Sequence, residues 1–117
     1  MNMESILQRL TNLDEIQNAI LVGKDGLIVA SIMRSDDEEM VGALSAAAFG
    51  SLTSFADKVN NGGIRHVIVE TKTGTIQMEE AGDLILIVMT RGTGNLGRIR
   101  FEMKKVCRQV AQLVASY

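Results

Sequence analysis

At 117 residues and 12.7 kDa the chain has the size of one ordinary domain, expected to span residues 1–117. Hydrophobic residues make up 46% and charged residues 22%, which supplies enough apolar surface for a core and argues against disorder. The net charge of −2 argues against a general nucleic-acid binder, and the longest aliphatic run, the six residues Leu84–Met89, is far short of the ~20 that a membrane span requires.

Met3, Ile6, Leu7, Leu10 and Leu13 follow the three-and-four spacing of one helix face, so residues 2–13 read as a short amphipathic helix. The same segment lacks the basic stretch and apolar run of a secretory signal. Ile16 to Val22 and Gly26 to Ile32 are β-rich and flank Gly23-Lys24-Asp25-Gly26. Asp-Gly supplies the positive φ of a tight turn, which predicts a hairpin. In Ser35-Asp36-Asp37-Glu38-Glu39, Ser35 and Glu38 have the spacing of a capping box, and a long helix is expected from Asp36 to Val59. Asn60-Asn61-Gly62-Gly63 ends it.

Three strands are expected next: Ile64–Glu70, Thr75–Glu79 and Leu84–Thr90, with turns at Lys72-Thr73-Gly74 and Glu80-Ala81-Gly82-Asp83. The last of them is apolar at every position, as a central strand covered on both faces must be. Leu96, Ile99, Met103, Val106, Val110, Leu113 and Tyr117 mark the stripe of a final helix. The order αββαβββα, with short hairpin links, implies an antiparallel five-stranded sheet. If the last strand inserts beside the first, the sheet order is 2-1-5-4-3. The long helix then covers one face and the terminal helices the other, a profilin-like α+β sandwich of three layers, α/β/α.

On the long helix, Val41, Leu44, Ala48, Leu52, Phe55 and Val59 form an apolar stripe expected to lie on the sheet. A second row, Ala43, Ala47, Gly50 and Ser54, runs roughly 120° away and holds only small side chains. Alanine is a good helix former in its own right. Gly42 and Gly50, however, each cost ~1 kcal/mol relative to alanine in mid-helix, which points to close helix–helix packing. With the terminal helices across the sheet, the expected partner is the same helix of a second copy around a two-fold axis. Strand Ile64–Glu70 is an aliphatic edge in this order, and pairing across that axis would cover it. His66 on this strand reads as a satisfied or partly exposed histidine rather than a ligand, since the chain has no second histidine.

Little else carries chemistry. Gly92-Thr93-Gly94-Asn95-Leu96-Gly97 fits G-x-G-x-x-G, but the dinucleotide unit also needs a following strand and a ribose-binding acid, and neither remains before Tyr117. The glycines are expected to shape the turn and let Asn95 cap the last helix. A loosely bound anion beside Arg91 and Arg98 is a further reading of the same turn. There is no P-loop, and one histidine with one cysteine makes no zinc set. No catalytic constellation, cofactor site or metal site is expected, so the chain reads as a non-enzyme. Cys107 is expected to be partly buried, and a single cysteine suits a reducing compartment, with the cytoplasm as default. Charge is uneven: residues 1–90 carry 6 Lys/Arg and 13 Asp/Glu, whereas residues 91–117 carry 6 Lys/Arg and only Glu102. Such polarity either steers a charged partner or is a solvated basic face.

Three segments together resemble the Roadblock/LC7 family: the hairpin Ala19–Ala30, the alanine-rich helix with Ala43, Ala46, Ala47 and Ala48, and Leu84–Met89 followed by Asn95-Leu96-Gly97-Arg98-Ile99-Arg100. The resemblance covers essentially the whole chain and implies the same sheet order. It also implies a homodimer through the middle helix and the following edge strand, and a scaffold role toward small Ras-like GTPases. Light chains of dynein motors belong to the same family, but this sequence has no extension that would favour dynein. Carried over, the dimer contacts are Ala43, Ala47, Gly50, Ser54, His66 and Ile68. Ala46, Phe49, Thr53 and Asp57 are expected on the outward, partner-binding side of the helix, with Arg91 and Arg98 as further partner contacts. The alternative function is a small-ligand sensor or adaptor module built on the profilin-like sheet.

Overall fold

The computed structural model describes residues 2–33, 37–60, 62–92 and 94–115. Its elements follow in the order α1 (Met3–Thr11), β1 (Ile16–Gly23), β2 (Ile28–Ile32), α2 (Glu38–Val59), β3 (Val67–Glu70), β4 (Gly74–Ala81), β5 (Leu84–Arg91) and α3 (Leu96–Ala115). Asn2 starts α1, its Oδ1 accepting from the Ser5 N–H at 2.8 Å.

The five strands form one antiparallel sheet in the order β2-β1-β5-β4-β3. Strand β5 is central, and Ile85, Leu86, Ile87 and Val88 are all fully buried. Their alternation splits them between two cores. Leu86 and Val88 join Ile6, Leu7 and Leu10 of α1 and Ile99, Met103 and Val110 of α3. Ile85 and Ile87 join Ile20, Val22 and Met78 beneath Ala46 and Phe49 of α2. The three-layer arrangement and the strand order are those expected from the sequence.

The first turn also forms as expected. Gly26 takes φ +91°, and the Gly23 N–H donates to the Leu27 carbonyl at 2.9 Å. Beyond it the β1–β2 register slips: Leu21 faces Ala30 and Val22 faces Ile28, so Val29 has no partner on β1. This bulge sits on an edge strand, where an irregularity of this kind discourages pairing with another chain.

Two expectations need correction, and a third falls outside the described residues. Ser35 and Asp36 of the expected capping box lie outside the described residues, and the described helix begins at Glu38. The Glu38 carboxylate is engaged by the Ser31 hydroxyl, which donates to it at 2.6 Å. Strand β3 is only four residues long, starting at Val67 rather than Ile64.

The largest correction concerns the face of α2. Of the stripe expected on the sheet, Leu44, Phe55 and Val59 are 63%, 64% and 66% exposed, Ala48 is exposed too, and only Val41 packs against the core. Gly42, Ser45, Ala46 and Phe49 face inward instead. The cause is a close backbone approach. A Cβ on Gly42 would lie 3.0 Å from Ile28 Cγ1 and 3.1 Å from the Gly26 carbonyl, while one on Gly26 would lie 3.1 Å from Ala43 Cα. Mid-helix Gly42 thus reflects contact with the hairpin turn within the protomer, not contact with a second helix.

Candidate functional site

Residues 40–56 contain no charged side chain. A helix of that composition is apolar on every side, and such helices are normally covered on every side. Within the protomer α2 is covered on one side only. Its outer face presents Met40, Leu44, Leu52, Phe55 and Val59 as exposed large apolar residues, with Ala47 and Ala48 between them. Contiguous exposed apolar faces are uncommon on folded domains that work alone.

Ala43, Ala47, Gly50 and Ser54 all lie on the exposed part of the helix. Nothing lies within 4 Å of the position a Gly50 Cβ would take. The outward set divides. Asp57 is exposed, and Thr53 is half-buried with its hydroxyl donating to the Phe49 carbonyl at 2.8 Å. Ala46 and Phe49 are buried against the sheet at 7% and 3% exposure, so they cannot belong to an outward partner-binding side. Leu44, Phe55 and Val59, which the sequence reading placed in the core, take that outer position.

The two sheet edges differ. Strand β3 pairs with β4 in unbroken register from Val67 opposite Met78 to Glu70 opposite Thr75. Ile68 and Val69 are about two-fifths exposed. No bulge interrupts this edge, in contrast to β2, so β3 is the edge left open to another strand. His66, expected at that edge as a dimer contact, is turned inward. Its side chain is 2% exposed, with Nδ1 2.7 Å from Glu79 Oε1 and Nε2 2.7 Å from Gln77 Oε1. The ring therefore fastens the approach to β3 onto β4, with its side chain turned away from solvent.

The glycine-rich turn is engaged from within the chain. Asn95 has φ +60° and stands at the head of α3, its carbonyl accepting from the Ile99 N–H. Its side-chain amide donates to the Glu15 carboxylate instead of capping the helix. The Glu15 carboxyl is held below its usual range by its own backbone N–H, then by Asn95, then by the charge of Arg98. An internal carboxylate thus takes up the Asn95 amide at this turn. Arg91 and Arg98 are exposed.

Cys107 is buried on α3, and burial, reinforced by the charge and hydrogen bond of Glu79, pushes its thiol well above the usual range. Among the described residues no group of three or more His, Cys, Asp or Glu side chains could hold a metal ion, and no helix is long and apolar enough to cross a membrane.

Comparison with known proteins agrees with this architecture. The Roadblock/LC7 domain profile matches residues 3–90. An uncharacterized protein of Methanocaldococcus jannaschii is 36% identical over 109 residues, which is 92% of this chain and 96% of that protein. MglB of Myxococcus xanthus superposes with a TM-score of 0.91 at 19% identity, covering 98% of this chain and 96% of MglB. Profilin IB of Acanthamoeba castellanii superposes with a TM-score of 0.70 at 13% identity, covering 96% and 98% of the two chains.

Proposed function

The chain belongs to the Roadblock/LC7 family, and from that premise we propose that it is a non-enzymatic, homodimeric scaffold that binds a small Ras-like GTPase and modulates its nucleotide cycle. The observation that carries this reading is the uncharged helix α2, whose outer face exposes Leu44, Phe55 and Val59 in the isolated protomer. One such face per protomer, beside an unbulged edge strand, suits a second copy related by a two-fold axis. Ala43, Ala47, Gly50 and Ser54 of α2 and Ile68 of β3 are the dimer contacts in this reading. Thr53 and Asp57 on α2, with Arg91 and Arg98 near the start of α3, are left for the GTPase. The whole of residues 1–117 acts as one domain, and the cytoplasm is its compartment.

A scaffold changes a nucleotide cycle only if it binds the GTP and GDP forms of its partner unequally, because a ligand with equal affinity for two states shifts neither. The test mixes the purified chain with a Ras-like GTPase from the same organism and follows GTP hydrolysis and nucleotide release. The expected outcome is unequal binding of the two forms and a changed rate in at least one step. Equal binding to both forms, with unchanged rates, contradicts the reading.

A further inference from the structure

A groove of about 440 Å³ lies between α3 and the β3–β4 side of the sheet, away from the exposed face of α2. Lys104 and Arg108 stand one turn apart on α3 and line one wall, and Arg65, just ahead of β3, lines another. Among the described residues none of these three cations has a carboxylate partner. The two acids that share the groove are both engaged. Glu79 is held by His66 at 2.7 Å, and Glu80 pairs with Lys24 at 3.6 Å. The groove lining thus holds three cations against two carboxylates, an excess of one positive charge on a chain whose net charge is −2.

We infer that this groove is a binding site for a compact phosphate-bearing ligand, either inorganic phosphate or a small phosphate monoester. Two guanidinium groups and one ammonium lining the same groove suit a phosphate dianion, since arginine binds phosphate oxygens in pairs and lysine adds a point charge. The volume lies within the range of small-ligand sites. Ile64 and Ala111 give the groove a short apolar wall, which has room for a small ester group.

The test is a titration of the full chain with inorganic phosphate, and separately with glycerol phosphate, at low ionic strength, read by calorimetry and by amide shifts of residues 64–66 and 104–111. Saturable binding is expected, weakened roughly tenfold by Arg108→Gln and by Lys104→Gln, the loss of one charge-assisted contact each. Arg100→Gln, on α3 but outside the groove, is expected to leave binding unchanged. Tighter binding of the ester than of inorganic phosphate assigns the ligand to the ester class, and equal binding assigns it to phosphate itself. Equal weakening by Arg100→Gln and Arg108→Gln, which would mean diffuse attraction, overturns the proposal. Absence of saturation, or stronger binding of hexaglutamate than of either phosphate, overturns it as well. Circular dichroism of each variant confirms that α3 is intact, and none of these readouts depends on a GTPase or on dimerisation.

Discussion

At the scale of single residues, the imidazole of His66 is committed through both of its ring nitrogens. It joins a carboxylate and an amide on β4 and is shielded from water. Removing it strands a buried carboxylate beneath α3, which is the costly way to break a buried pair. His66→Ala is expected to lower stability by about 3 kcal/mol, read as a lower urea midpoint with an unchanged slope. A loss below about 0.5 kcal/mol, the usual surface value, contradicts this account. The absence of a second histidine made a satisfied histidine the natural reading, and that much was legible. Its partner Glu79 was not, because it lies 13 residues away on the neighbouring strand and no local signal pairs the two. That the ring is turned inward was not legible either: strand alternation gives a side, but not whether the ring reaches solvent.

At the scale of elements, α2 holds two mid-helix glycines with different causes. Gly42 is tight against the hairpin, whereas Gly50 faces open space within the protomer. In a helix facing only solvent, Gly50→Ala stabilises by about 0.5–1 kcal/mol. If a second helix packs there, the added methyl weakens the dimer instead. We expect a Gly50→Ala protomer that melts no earlier at high dilution but associates more weakly, measured by thermal unfolding and sedimentation over a range of concentrations. Unchanged association excludes Gly50 from the contact.

The order and type of all eight elements were readable because turn chemistry and strand alternation are local signals. Asp25-Gly26 marked the hairpin, and the unbroken apolar run of β5 marked the central strand. The orientation of α2 was not readable. A segment without charge has no polar side to exclude from the core, so periodicity was satisfied by the larger residues while the actual contact uses the smaller ones. The signal that was available, the uncharged run over residues 40–56, says how much of the helix needs covering, not which side meets the sheet.

At the scale of the whole molecule, the exposed face of α2 makes association the central expectation. A charge placed among Ala43, Ala47 and Gly50 would be desolvated without a partner on closing the contact. Ala47→Glu is expected to weaken self-association by roughly 100-fold, equivalent to about 3 kcal/mol. It should leave the fold intact, since Ala47 is exposed in the protomer. Sedimentation showing an unchanged dimer refutes the assigned contact, and loss of GTPase binding in the same variant would tie recognition to the paired state.

The bulge at Val29 has a consequence for how far such an assembly can grow. Once two protomers have joined their β3 strands, the outermost strands of the combined sheet are both copies of β2, and each carries the irregular step opposite Leu21 and Val22. Neither end is a good template for a third chain. In such a dimer, strand addition is expected to stop by itself, leaving an adhesive border that does not seed fibrils.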